Sequence, residues 1–295
     1  MFTIFDIPAQ ALFGQLLLGL INGSFYAMLS LGLAIIFGLL NIINFAHGAQ
    51  YMMGAFLAWM LLNYVGVGYW PSLILAPLLV GIFGIILERL LISRLYKLDH
   101  LYGLLLTFGV ALMIQGLFRN EFGVSGLPYA IPDELAGAYQ LPFMYLPSYR
   151  AWVVVASLVL CLATWLAIEK TKLGAYLRAA TENAPLVEAF GVNVPLLLTA
   201  TYGFGVALAG VAGVLAAPVL SVNPNMGADI IIVVFAVVVV GGMGSILGSV
   251  TTGFALGLVE GLTKVVYPQG SSTVIFVIMA IVLLIKPAGL FGRAS

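Results

Sequence analysis

Residues 169–195 read EKTKLGAYLRAATENAPLVEAFGVNVP, the one long polar interruption in the second half of a chain that is apolar on both sides of it. Lys170, Lys172, Arg178, Glu182 and Glu188 surround an alanine-rich segment, 175–190, with helical spacing. A short helix between two apolar blocks is either a plain connection of a polytopic protein or a surface offered to a partner. The blocks decide the class: 63% of residues are hydrophobic and 7% are charged, against roughly 25% charged in a soluble domain. Mean hydropathy is +1.16. The composition predicts an all-α polytopic membrane protein, a single transmembrane domain over residues 1–295, with room for about eight to ten helices of roughly 20 residues.

Upstream of the focal segment, apolar blocks cover 12–40, 49–64, 71–92, 101–118 and 151–168. The first is too long for one upright helix and barely long enough for two, which predicts a tilted, broken or partly re-entrant element. Residues 119–150 are rich in Pro, Gly and Tyr, with Tyr129, Tyr139, Tyr145 and Tyr149, and read as an ordered outside loop, since such aromatics gather at membrane interfaces. Downstream lie blocks at 196–220, 230–240, 247–266 and 272–285, the first of them marked by Gly203, Gly205, Gly210 and Gly213 as a closely approached helix interface. The N-terminal MFTIFDIPAQALF has no Lys or Arg, so it reads as mature chain rather than a secretory signal.

The informative polar groups are those the apolar blocks cannot hide. Asn41, Asn44 and His47 interrupt the chain at NIINFAHG, and Asn223 and Asn225 at SVNPNMGAD; Thr107 and Gln115 stand alone in their block. Polar side chains at such depth cap a helix break, pair with one another or line a cavity. Glu260 and Lys264 are spaced to pair on one helix face. GGMGS, with Gly241, Gly242 and Gly244, follows a membrane block and lacks a following Lys, so it reads as a hinge or tight packing rather than a phosphate loop. No HExxH, GxSxG or CxxC pattern occurs, and Cys161 stands alone, so neither a catalytic site, a metal nor a cofactor is expected. Zero net charge argues against nucleic acid.

Orientation follows from basic residues. With the focal segment in the cytoplasm, Arg89, Arg94, Lys97, Lys170, Lys172, Arg178, Lys286 and Arg293 share its side, and Arg119, Arg150 and Lys264 fall opposite. The positive-inside rule then places the C-terminus in the cytoplasm and the N-terminus outside. A small-residue helix, a polar break ending in Gly and an apolar helix occur at 32–59 and again at 203–240, with the breaks facing opposite sides. That is the pattern of an inverted repeat.

Three stretches, NGSFYAMLSLGLAIIFGLLNIINFAHGAQYMMGAF at 22–56, LGAYLRAATENAPLVEAFGVNV at 173–194, and ALAGVAGVLAAPVLSVNPNMG followed by GGMGSILGSVTTGFALGLVE, resemble the permease family of branched-chain amino-acid ABC transporters. The resemblance spans about residues 12–292 and implies a bacterial inner-membrane permease subunit importing branched-chain or other small hydrophobic amino acids, or related solutes. It also implies a second, similar permease subunit, two cytoplasmic ATPases and an extracytoplasmic solute-binding protein as partners, in a setting of membrane lipid. The family's coupling segment maps onto Arg178, Ala179, Glu182, Asn183, Ala184, Glu188, Ala189 and Gly191, expected to dock on an ATPase and move as a rigid lever. Asn22, Asn44, His47, Gln115, Asn223 and Asn225 are the expected lining or gate of the pathway. At Ala49 and Gln50 the chain departs from the family, many of whose members carry an acidic residue just after the HG. The alternative from another class, a stand-alone secondary carrier or channel, needs an ion-coupling site for which Asp229, Glu260 and His47 are the available material.

Overall fold

The first apolar block folds as one unbroken helix, α1 (Ala9–Leu40, 32 residues), about 48 Å long at 1.5 Å per residue. The protein's structure is a computed structural model describing residues 3, 4, 7–40, 42–96 and 98–292; Asn41, Lys97 and Arg293 lie outside the described residues. Of the tilted, broken or partly re-entrant element expected over 12–40, the one continuous helix excludes the broken and re-entrant forms. The Asn22–Gly23–Ser24 stretch is absorbed by the helix: Ser24 Oγ donates to its own Leu20 carbonyl at 3.0 Å, and Gly23 lies against another helix.

Nine further helices follow among the described residues: α2 (Ala46–Met60), α3 (Tyr69–Leu90), α4 (His100–Phe122), α5 (Ser148–Glu169), α6 (Lys172–Ala189), α7 (Val194–Ala216), α8 (Met226–Gly241), α9 (Ile246–Val266) and α10 (Val274–Ile285). Six helices are long and apolar enough to cross a membrane. The protein is an all-α polytopic membrane protein. Each expected apolar block contains one apolar helix, and α6 occupies the focal polar segment. The ends differ from expectation in two instructive places. Helix α4 runs on through Phe122 and α5 begins at Ser148, so the loop between them shrinks to residues 123–147. It is ordered by a hairpin of β3 (Ala138–Gln140) on β4 (Tyr145–Pro147), numbered after the two-residue strands β1 (Thr3–Ile4) and β2 (Ile7–Pro8), and by a bridge from Leu127 to Val222. Tyr139 and Tyr145 are exposed, as interfacial aromatics are. Tyr149 is buried, its hydroxyl donating to the Leu215 carbonyl at 3.0 Å.

Because lipid gives two helices no hydrophobic reason to associate, the helix pairs are held by close contact. Helices α1 and α9 run antiparallel so tightly that a Cβ on Gly19 would stand 2.5 Å from the Gly257 carbonyl oxygen; Gly23, Gly253 and Gly261 continue the seam. Helices α3 and α7 form the other long antiparallel seam, through Gly81, Gly84 and Gly203. Where α1 crosses α7, Gly32 meets Gly205, and where α2 begins beside α8, Gly48 meets Gly227. Exchanging α1 with α7, α2 with α8 and α3 with α9 maps these contacts onto one another. That exchange is what the sequence echo between 32–59 and 203–240 predicts for an inverted repeat.

The two repeats leave two non-helical segments inside the bundle, residues 42–45 and 217–225, each preceding a short helix. Helix α7 ends at Ala216 and α8 takes up Met226 to Asp229, so the second break lies four residues earlier than the 221–229 expected. One end of the bundle carries α6 and is called the α6 end below; the other carries the β3–β4 hairpin.

Candidate functional site

The break before α2 is enclosed. Residues 42–45 climb back along α1, and His47 Nε2 lies 3.0 Å from the Leu29 carbonyl, 11 residues short of the C-terminal residue of α1, Leu40. A carbonyl only accepts, so Nε2 carries the hydrogen. Unwound backbone at this depth must find partners within the protein. Thr107 of α4 supplies them: its Oγ1 donates to the Ile43 carbonyl at 3.0 Å and accepts from the Phe45 N–H at 3.1 Å. Asn44 Nδ2 donates to Gln50 Oε1 at 3.2 Å, and Gln50 Nε2 donates to the Tyr202 hydroxyl of α7 at 3.4 Å. Asn44, His47, Gln50 and Thr107 are all buried.

The break before α8 is open. Asn223 Oδ1 accepts from the Asn225 N–H at 2.9 Å and so turns the chain into the helix. Asn225 Oδ1 in turn accepts from Gln115 Nε2 at 3.0 Å and from Arg119 Nη2 at 2.7 Å. Gln115, Asn223 and Asn225 are partly exposed. Between the two breaks runs a groove of about 170 Å³, lined by Phe45, Ala49, Phe108, Gln115, Pro224 and Ile231 among others. Of the expected pathway residues Gln115 alone lines the groove; Asn44 and His47 are buried beside it in the first break and its entry into α2, and Asn223 and Asn225 stand in the second break, next to the lining residue Pro224. Asn22 stands apart, about 15 Å along α1 from Gly32 at 1.5 Å per residue.

At the α6 end, α6 is not the single rigid helix expected. Asn183 has φ −151° and ψ 85°, splitting it in two. The sequence Asn183-Ala184-Pro185 explains the split: Pro185 carries no N–H, and Asn183 Oδ1 caps the second piece by accepting from Leu186 N–H at 3.1 Å. Gly174, Leu177, Ala180 and Val187 face inward, whereas Tyr176, Ala179, Glu182, Asn183, Leu186, Glu188, Ala189 and Phe190 are exposed and Ala184 is partly so. Arg178 points back, its Nη1 3.3 Å from both the Ile168 carbonyl and Glu169 Oε2, where it holds α6 to the end of α5. Gly191, at φ 84°, closes α6, and Asn193 caps α7.

GGMGS is tight packing. A Cβ on Gly241 would stand 2.7 Å from the Gly248 carbonyl, and Gly242 and Gly244 have φ of 102° and 86°. The segment after α10 closes over it, Leu290 and Phe291 N–H donating to the Val240 and Gly241 carbonyls at 2.8 and 3.1 Å. Lys264 and Glu260 pair at 2.6 Å, and the Tyr26 hydroxyl donates to the same carboxylate at 2.7 Å. Cys161 is buried. Among the described residues no group of His, Cys, Asp and Glu could hold a metal ion.

A family described as branched-chain amino acid transport system / permease component matches residues 15–285. The chain belongs to this permease family. It is 30% identical to the high-affinity branched-chain amino acid transport system permease protein BraD of Pseudomonas aeruginosa, over 95% of each chain. It is 27% identical to LivH of Escherichia coli K12, a protein of the same description, over 95% of each chain. A shorter match, 28% over 106 residues, or 36% of this chain, joins it to the permease protein LivM of the same organism. No solved structure matches.

Sequence reasoning missed two groups in this permease. Glu88, 2% exposed, lies in the last turn of α3; standing beside Arg89 and Arg94, it passes as part of a polar connection. Gln50 was noted only as a departure from the family, yet it bridges Asn44 to Tyr202.

Proposed function

We propose that this chain is one of two permease subunits of an ATP-driven importer in a bacterial inner membrane, and that it carries branched-chain or other small hydrophobic amino acids. Family membership and the names of BraD and LivH support the substrate class; the match to LivM supports a second, homologous permease subunit. The observation that carries the ATP-driven part is α6: a two-piece surface helix, fixed at both ends, that presents Glu182, Asn183, Leu186, Glu188 and the 80%-exposed Phe190 together. The chain has no nucleotide-binding motif, so a cytoplasmic ATPase pair is the natural occupant of that surface, and a solute-binding protein delivers cargo at the hairpin end. The chain itself catalyses no reaction. Arg89, Arg94, Lys170, Lys172 and Lys286 lie toward the α6 end, which supports a cytoplasmic α6 end and an N-terminus outside.

On this reading the solute passes along the groove between the breaks, whose apolar walls and single uncharged amide, Gln115, suit a zwitterion with an aliphatic side chain. Closure of the ATPases displaces α6, and the close glycine contacts at Gly32, Gly48, Gly205 and Gly227 are where the helices would repack. The test is Glu182→Arg in the reconstituted complex. Uptake is expected to fall about tenfold or more, within the range of a coupling free energy; unchanged uptake together with unchanged ATP hydrolysis rejects the reading.

A further inference from the structure

A buried carboxylate at the edge of a membrane span is costly and is retained where it does something. Glu88 is such a group. One of its oxygens, Oε1, accepts from the hydroxyl of Tyr96, in the connection between α3 and α4. The other, Oε2, accepts from Thr199 Oγ1 of α7 at 2.7 Å. Burial first, and the adjacent Glu88 carboxylate second, hold the Tyr96 hydroxyl above its ordinary pKa, so it stays a donor.

Each bond begins an arm, and both arms end on the same four residues. Through Thr199, Glu88 grips the first turns of α7. Three residues on, the Tyr202 hydroxyl accepts from Gln50, which holds Asn44 in the break before α2. Through Tyr96, Glu88 grips the connection leading into α4, whose Thr107 bonds Ile43 and Phe45 in that same break. The start of α7 also touches α6, since Val194 clusters with Ala180 and Val187. A push on α6 therefore reaches α7 where Glu88 clamps it, and the clamp keeps α7 and α4 in step as they act on residues 42–45.

The structure assigns Glu88 the role of a positioning residue that transmits displacement of α6 to the break before α2. This rests on the coupling role proposed for α6. It adds a group that touches neither the docking surface nor the groove.

The experiment measures solute taken up per ATP hydrolysed, in vesicles containing the full complex. Glu88→Ala is expected to lower that ratio about tenfold while ATP hydrolysis stays within about twofold, an uncoupling of the size typical between linked sites. Glu88→Gln, which keeps one acceptor, is expected to restore most of the ratio. Gln50→Leu cuts one arm, so it lowers the ratio less, and adding it to Glu88→Ala lowers it no further, as members of one chain do. If Glu88→Ala fails to assemble, Tyr96→Phe and Thr199→Val each remove one donor and are expected to lower the ratio in part. A ratio unchanged in every assembled variant, with uptake and hydrolysis falling in proportion, overturns the inference and leaves Glu88 a structural group. Glu182→Arg separates the two failures. If it alters neither activity, the coupling reading falls and this inference with it; if it acts while the Glu88 variants keep the ratio, this inference alone falls.

Discussion

The two breaks have the same place in the two repeats and opposite chemistry. The one before α2 is dry: Thr107 satisfies its backbone, Gln50 and Tyr202 hold its asparagine, and each of those groups is buried. The one before α8 is open, with Asn223, Asn225 and Gln115 partly exposed and Arg119 reaching in from the last turn of α4. Symmetry of backbone does not require symmetry of role. In a membrane the cost of an unpaired peptide group falls steeply once water can reach it, so the enclosed break is a fixed element that must move as a unit, while the open one can exchange its partners with solute.

The contact between the helices that follow the breaks makes the largest prediction. A Cβ on Gly48 would lie 2.4 Å from the Gly227 carbonyl, and one on Gly227 would lie 2.2 Å from the Gly48 carbonyl. Gly48→Leu and Gly227→Leu are both expected to destabilise the protein by about 3 kcal/mol or more, seen as loss of the monodisperse species and a lowered Tm in detergent. Equal damage on the two sides supports the exchange symmetry; a harmless Gly227→Leu breaks it. Next in size is Thr107→Val, a change of shape by almost nothing that strands the Phe45 N–H and the Ile43 carbonyl. It is expected to cost about 3 kcal/mol, with Thr107→Ser retaining most of the stability. Thermal melts of the three proteins in one detergent decide it.

Much of this was legible in the chain. Composition and block length gave the class and the order of the apolar helices, because hydropathy over some 20 residues is a local property. The polar breaks announced themselves by asparagines that a membrane helix has little use for, spacing marked α6 as a helix, and the resemblance supplied its expected role. What stayed hidden depends on which residues meet. Asn22 was expected beside the pathway and lies apart from the groove, in a stretch of α1 whose glycines, Gly19 and Gly23, lie against α9. Arg178 was expected only as a docking contact, and the sequence did not show that this exposed side chain also ties α6 to the end of α5. The kink at Asn183 could have been read from its own capping side chain and the proline two residues on. Glu88 could not, since its partners Tyr96 and Thr199 are 8 and 111 residues away in sequence.

The smallest expected effect on stability sharpens the contrast most. Gln115→Ala removes one donor from Asn225 Oδ1, which is partly exposed and keeps Arg119 at 2.7 Å. Its cost in stability is expected to stay under about 1 kcal/mol, the net worth of an ordinary hydrogen bond. Uptake is expected to suffer more than folding, because the Gln115 amide lines the groove and its loss changes what the solute meets. Melting and uptake measured on the same preparation decide it. A Gln115→Ala protein as unstable as Thr107→Val means that the second break is as closed as the first, and the groove is then a seam in the fold. A protein that melts normally but transports poorly leaves the open break as the side from which solute is handled.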